Sequence, residues 1–154
     1  LRQARRVMLI GIGASGLVAK DFSFKLLKIG VMAVAEPDMH VQLAAVQALD
    51  KRDLLLAISF SGERREINLA AEEARQAGAR VLALTSFSPN GLQQRADHCL
   101  YTIAEEPHTR SAAISSSTAQ YALTDLLFMA LIQHDLDHAR DRIKHSEQLM
   151  KKLV

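Results

Sequence analysis

VMLIGIGASG, residues 7–16, decides the fold. Its first six residues carry no polar side chain, which is the pattern of a strand buried on both faces (7–12). Gly11, Gly13 and Gly16 then break the run, and helical spacing begins at once. Leu17, Val18, Phe22, Leu26 and Ile29 predict a helix over 15–29, which Gly30 stops. A doubly buried strand that passes straight into a helix is one βα unit of a parallel sheet.

The same alternation continues outward. VMAVAE (31–36) predicts a second strand, and Pro37 and Asp38 turn the chain into a short helix over 39–49. DLLLAISF (53–60) is the most strongly apolar strand, followed by a helix over 64–77 that ends at Gly78. RVLALTS (80–86), the turn SPNG (88–91), a short helix at LQQRA and a fifth strand HCLYTI (98–103) come next. Two helices close the chain, over 111–134 and 136–152, the second with Leu136, Ala139, Ile143, Met150 and Leu153 in a stripe. That stripe predicts packing on its own domain rather than on a partner. Right-handed crossovers make this a three-layer α/β/α, doubly wound, five-stranded parallel sheet of order 2-1-3-4-5, with all 154 residues in one domain.

Composition narrows the function. The net charge of +2 and 5% aromatic content leave no strongly basic face and little for base stacking, so this domain is not expected to grip nucleic acid itself. No apolar run approaches the ~20 residues that span a bilayer, so no membrane contact is expected. Cys99 has no partner for a disulfide and lies in an apolar stretch. It is expected to be a buried small residue of a cytoplasmic protein. His134, His138 and His145 lack a supporting cysteine or carboxylate constellation, and are read as surface residues rather than metal ligands. No cofactor is expected.

In a doubly wound sheet, ligands bind beyond the carboxyl ends of the strands, where strand order reverses. Here that point lies between the loops after strands 1 and 3, GIGASG and ISFSGE. Both precede helices, whose N-termini offer free N–H groups and partial positive charge. Gly13 and Gly16 let the backbone approach an anion, and Ser15, Ser59 and Ser61 bring hydroxyls. The first loop alone is ambiguous: it fits either a binding loop or a tight turn in which Ser15 caps a helix. Its G-x-G-x-x-G spacing also fits a dinucleotide, with Glu36 at the end of strand 2 for the ribose. A dinucleotide gives no reason for two serines after strand 3. A compact phosphate, as in a sugar phosphate, uses both loops at once.

At GIGASG, ISFSGE and LTSFSPNGLQQRADHCLYT the chain resembles the sugar isomerase (SIS) domain family, over nearly its whole length. KDFSFKLLKIG (20–30), EPDMHVQLAAVQALDKRDLLLAISFSG (36–62) and STAQYALTDLLFMALIQ (117–133) are similar to the effector-binding half of RpiR-type transcription regulators, and most to MurR-like regulators of N-acetylmuramic acid catabolism. The resemblance implies that Ser15, Ser59 and Ser61 hold a phosphate, with backbone N–H groups from Gly62 and Glu63. It implies a homodimer or homotetramer. It also implies DNA binding only through a helix-turn-helix domain on the N-terminal side, which this sequence does not contain. Many SIS loops have threonine where this chain has Arg64; the guanidinium either pairs with the phosphate or stands exposed in the first helical turn. Thr85 and Ser86 either line the pocket or are merely polar strand ends.

Isomerisation of a sugar needs a positioned base. In SIS isomerases a glutamate early in the helix after strand 5 supplies it, but Ser111 to Thr124 holds neither carboxylate nor histidine. Glu105, Glu106 and His108 lie just before, and read as a solvated polar loop from which Glu105 could contact sugar hydroxyls. Asp38 and His40, after strand 2, either reach the sugar or cap the local helix. The reading is a sensor of a phosphorylated sugar such as N-acetylmuramic acid 6-phosphate, not an enzyme; an SIS isomerase or lyase is the alternative.

Overall fold

The computed structural model describes residues 1–105 and 113–153. Five strands form one parallel sheet of order β2-β1-β3-β4-β5: β1 (Val7–Gly11), β2 (Ala33–Ala35), β3 (Leu54–Ile58), β4 (Arg80–Ser86) and β5 (His98–Thr102). The helices are α1 (Ala14–Lys28), α2 (Met39–Val46), α3 (Arg65–Gln76), α4 (Ile114–His134) and α5 (Leu136–Lys151). The three-layer reading holds because the central strands bury both faces. Alternate residues feed two cores. Met8, Ile10, Leu55 and Ala57 pack with α2 and α3 residues Val46, Ile67, Ala70 and Ala74. Val7, Leu9, Leu54, Leu56 and Ile58 pack with Val18, Phe22 and Leu26 of α1, and against Tyr121, Leu127 and Phe128 of α4.

Several expectations need adjusting. β2 has three residues rather than six, since it is an edge strand paired only to β1. LQQRA folds as a 3-10 turn, Gln93–Arg95. α4 is described from Ile114 onward, and the expected start at 111 lies outside the described residues. Leu17 is 63% exposed, because it lies one step off the buried stripe of Val18, Phe22 and Leu26. Cys99, expected to be buried, is partly exposed on the edge strand β5. On α5 only Ala139 is buried, while Leu136 and Met150, and Leu153 just past the helix, face outward. The expectation that this stripe packs on its own domain therefore holds only around Ala139 and Ile143. No helix among the described residues is long and apolar enough to cross a membrane.

Candidate functional site

Parallel pairing puts the ends of neighbouring strands side by side. Gly11 pairs with Ile58, and Ile58 with Leu84, so the loops after β1, β3 and β4 leave the same edge of the sheet together. The β1 loop is compressed. A Cβ on Gly11 would lie 2.6 Å from the Ser15 carbonyl oxygen, so only glycine lets β1 run this closely under α1. Gly13 takes the N-cap position of α1, with no side chain capping it. Ser15 and Gly16 lie in the first turn. The capping reading of Ser15 is therefore not what the structure shows. Its hydroxyl instead donates to Oε1 of Gln120 on α4, at 3.1 Å.

The β3 loop is braced from the β4 side. Gly62 has φ +66°, and a Cβ there would sit 2.0 Å from Oδ1 of Asn90. Asn90, 6% exposed, donates to Thr85 Oγ1 (3.1 Å) and to the Ser88 carbonyl (2.9 Å), and accepts from the Gln93 N–H (3.1 Å). The Gly62 carbonyl accepts from Asn68 Nδ2 and from the Leu92 N–H, each at 3.0 Å. The Glu63 carboxylate accepts the Gly91 N–H at 2.8 Å, so this side chain is tied to the β4 loop.

Within that frame the candidate residues divide. Ser59 is 4% exposed and its hydroxyl accepts from the Gly62 N–H at 3.2 Å, so both shape the loop from within. Ser61 is exposed and carries one long contact, from the Glu63 N–H at 3.4 Å. Arg64 is the exposed N-cap residue of α3, with no side-chain cap bond, rather than part of the first turn. Thr85 is fully buried and donates to the Phe60 carbonyl at 3.3 Å, so its hydroxyl faces scaffold. Ser86 is half-buried, its carbonyl accepting from Gln93. Asp38 caps α2, accepting from the His40 and Val41 N–H groups at 2.8 and 3.1 Å; His40 itself is exposed and does not cap. Glu105 is exposed, while Glu106 and His108 lie outside the described residues.

The serine loops meet at the β1–β3 edge, where both adjoining helices begin without a side-chain cap. The first N–H groups of a helix lack an intrahelical acceptor, though on α1 the Gly16 N–H already donates to the Gly13 carbonyl at 3.0 Å. The arrangement supplies backbone donors, positive helix ends and hydroxyls, which suits a compact anion. On the other side of the β1 loop, Gly11, Gly13, Gly16, Lys20 and Glu36 line a cavity of about 170 Å³. That is below the ~300 Å³ at which drug-sized ligand pockets begin, and it offers little to a dinucleotide. A cavity of about 740 Å³ lies at the opposite end of the sheet, beside Arg52, Asp53 and Arg80, far from these loops. There Arg5 and Arg6 hold the buried Asp53 at 2.8–3.1 Å, and Arg5 above all keeps its carboxyl below the usual range.

Sequence reasoning missed Asn90, Asn68 and Gln120. Asn90 was visible only as part of a turn signal, and Gln120 meets Ser15 across 105 residues with no local pattern to mark it.

Residues 1–130 match the model of the SIS domain family. This chain belongs to that family. The SIS domain is 64% identical, over 154 residues, to an uncharacterised HTH-type transcriptional regulator, YfhH, from Escherichia coli K12. The match covers 100% of this chain and 55% of that protein, so the chain spans about half the length of that curated relative. Among solved structures it is similar to the Vibrio vulnificus NanR protein complexed with ManNAc-6P, at 25% identity and a TM-score of 0.91 over 99% of this chain and 58% of that one. The sugar isomerase domain of an RpiR transcription factor from Sphaerobacter thermophilus shares the fold, at 20% identity and a TM-score of 0.81 over 96% of this chain and 80% of that one.

Proposed function

We propose that this SIS domain is the effector-binding part of an RpiR-type transcriptional regulator and senses a phosphorylated amino sugar. The observation that carries the reading is the pairing of Gly11 with Ile58, which brings two serine-bearing loops and two uncapped helix starts to one edge. The phosphate sits there, taking N–H groups from the starts of α1 and α3 and hydroxyl donors from Ser15 and Ser61, with Ser59 and Gly62 shaping the loop. Arg64, on the rim, adds a guanidinium. The sugar extends toward the rim near Asp38 and His40, which follow β2 at the edge next to β1. N-acetylmuramic acid 6-phosphate and N-acetylmannosamine 6-phosphate are the leading effectors. The second is the ligand of the similar NanR, and both are amino-sugar phosphates.

The domain acts as a sensor and not as an enzyme. From Ile114 to Thr124, α4 offers neither carboxylate nor histidine to move a proton between sugar carbons. Two copies pair through α1 and α4, and ligand shifts that packing and with it the spacing of DNA-binding domains in the cytoplasm. A thermal-shift screen over hexose and amino-sugar 6-phosphates and their unphosphorylated sugars tests this. A ligand at 100 times its Kd stabilises by about 2.7 kcal/mol. For a domain of this size that is roughly 5–10 °C in Tm. Shifts confined to phosphorylated sugars support the reading, and equal shifts from free sugars refute it. Steady turnover of the same panel would instead establish the isomerase or lyase alternative.

A further inference from the structure

One buried side chain beside the site is incompletely satisfied. Gln120 is 1% exposed; its Oε1 accepts the Ser15 hydroxyl, while its Nε2 has no hydrogen-bond partner among the described residues. The two groups of one carboxamide are about 2.2 Å apart, so a half-turn brings Nε2 to the position from which Oε1 now meets Ser15 Oγ. Burying a donor without an acceptor is costly and rare.

The same bond sets a conflict for an anion. A hydroxyl carries one proton and two lone pairs. While that proton points at Gln120, Ser15 shows only lone pairs to a phosphate, whose charged oxygens are acceptors too. A half-turn of the carboxamide about its last bond removes the conflict at the serine, with Oε1 taking the position that Nε2 leaves. Nε2 then donates to Ser15 Oγ, and the serine proton is free for the phosphate. Oxygen and nitrogen of an amide have nearly the same shape, so the turn needs no repacking.

We propose that Gln120 is a positioning residue of the phosphate site, holding Ser15 from behind as an acceptor so that the serine donates forward to the ligand. This rests on the reading of the β1–β3 edge as a phosphate site. It also links that site to α4, because the residue that must turn belongs to the helix packed on α1.

A double-mutant cycle tests it. Ser15→Ala, Gln120→Met and the pair together are titrated calorimetrically with N-acetylmannosamine 6-phosphate, and Tm without sugar confirms that each folds. Each single change is expected to weaken binding about five- to tenfold, and the double variant to bind no worse than Ser15→Ala. Gln120→Met binding like the parent, or losses that multiply, would overturn the proposal. Gln120→Glu is the second arm. A carboxylate can only accept, so it holds the serine proton inward, and its penalty is expected to shrink at least threefold when Ser15 is already alanine. A penalty of equal size in both backgrounds reflects charge alone and also overturns the proposal. If the parent binds no phosphorylated sugar, the site reading falls and takes this inference with it; binding without coupling removes this inference alone.

Discussion

Ser61 and Gly62 are neighbours with opposite roles. Ser61 is exposed and holds one long contact at 3.4 Å, so its hydroxyl contributes little to the fold. Ser61→Ala is therefore expected to leave Tm within about 2 °C, since surface changes shift stability by ±0.5 kcal/mol or less. It should nonetheless weaken phosphosugar binding about tenfold or more, measured by calorimetry, because a hydrogen bond to a charged group is worth about 1.5–3 kcal/mol. Full affinity in this variant would remove Ser61 from the site. Gly62→Ala should do the reverse. Its new Cβ meets the Asn90 side chain at 2.0 Å at a φ of +66°, so the loop and its brace cannot both stay. A loss of about 2–4 kcal/mol in urea unfolding is expected, combining strain and broken buried bonds. Ser61 stands out in the sequence as a candidate because S-x-S-G follows an apolar run. Thr85 was misleading for the same reason: a polar residue at a strand end reads alike whether it faces ligand or, as here, the Phe60 carbonyl.

At the level of elements, the strands were legible because burial on both faces leaves an unbroken apolar run, as in LLLAI of β3. Helix starts were less so. Ser15 has the composition of a cap yet lies inside α1, while the residue at the N-cap is Gly13. Asp38, offered as a sugar contact, spends its carboxylate on α2. What anchors the other end of the sheet was not legible at all. Asp53, at the foot of β3, accepts from Arg5 and Arg6 before β1 and from the Asp50 N–H, tying two central strands together. Its carboxyl is held below the ordinary value chiefly by Arg5. A carboxyl whose folded pKa is depressed adds stability above its unfolded value, and that stability is lost as pH falls through the folded value. Unfolding free energy is thus expected to hold steady from pH 7 to about 5 and to fall below about pH 4. Asp53→Asn should cost about 2 kcal/mol at pH 7 and flatten the acid decline, as followed by urea titration between pH 7 and 3. An unchanged decline would assign the acid sensitivity elsewhere.

For the whole molecule, α4 is built inside out. Its buried residues are Ser116, Gln120 and Thr124, a polar stripe at i, i+4 and i+8, while Leu126 and Met129 are 67% and 51% exposed. On α1, the helix packed on α4, Leu17, Phe24 and Leu27 are 63%, 58% and 48% exposed. Apolar periodicity marks a helix as having something to cover without saying whether its own domain or another covers it, which is why the sequence could suggest pairing but not its surface. Exposed apolar side chains on two packed helices favour burial against a second copy, because removing them from water is worth about 25 cal/mol per Å². A symmetric contact uses the same patch on both copies, so one charge per copy enters the interface twice. Leu126→Glu is therefore expected to convert a dimer into monomers at micromolar concentration, read by light scattering coupled to gel filtration. The change should leave the fold intact by circular dichroism, because this side chain is already mostly in water. Phe24→Glu, one helix away, should act the same way. If both variants keep the parent mass, the pairing surface lies elsewhere, and the outward-facing Leu149, Met150 and Leu153 of the C-terminal segment become the patch to test next.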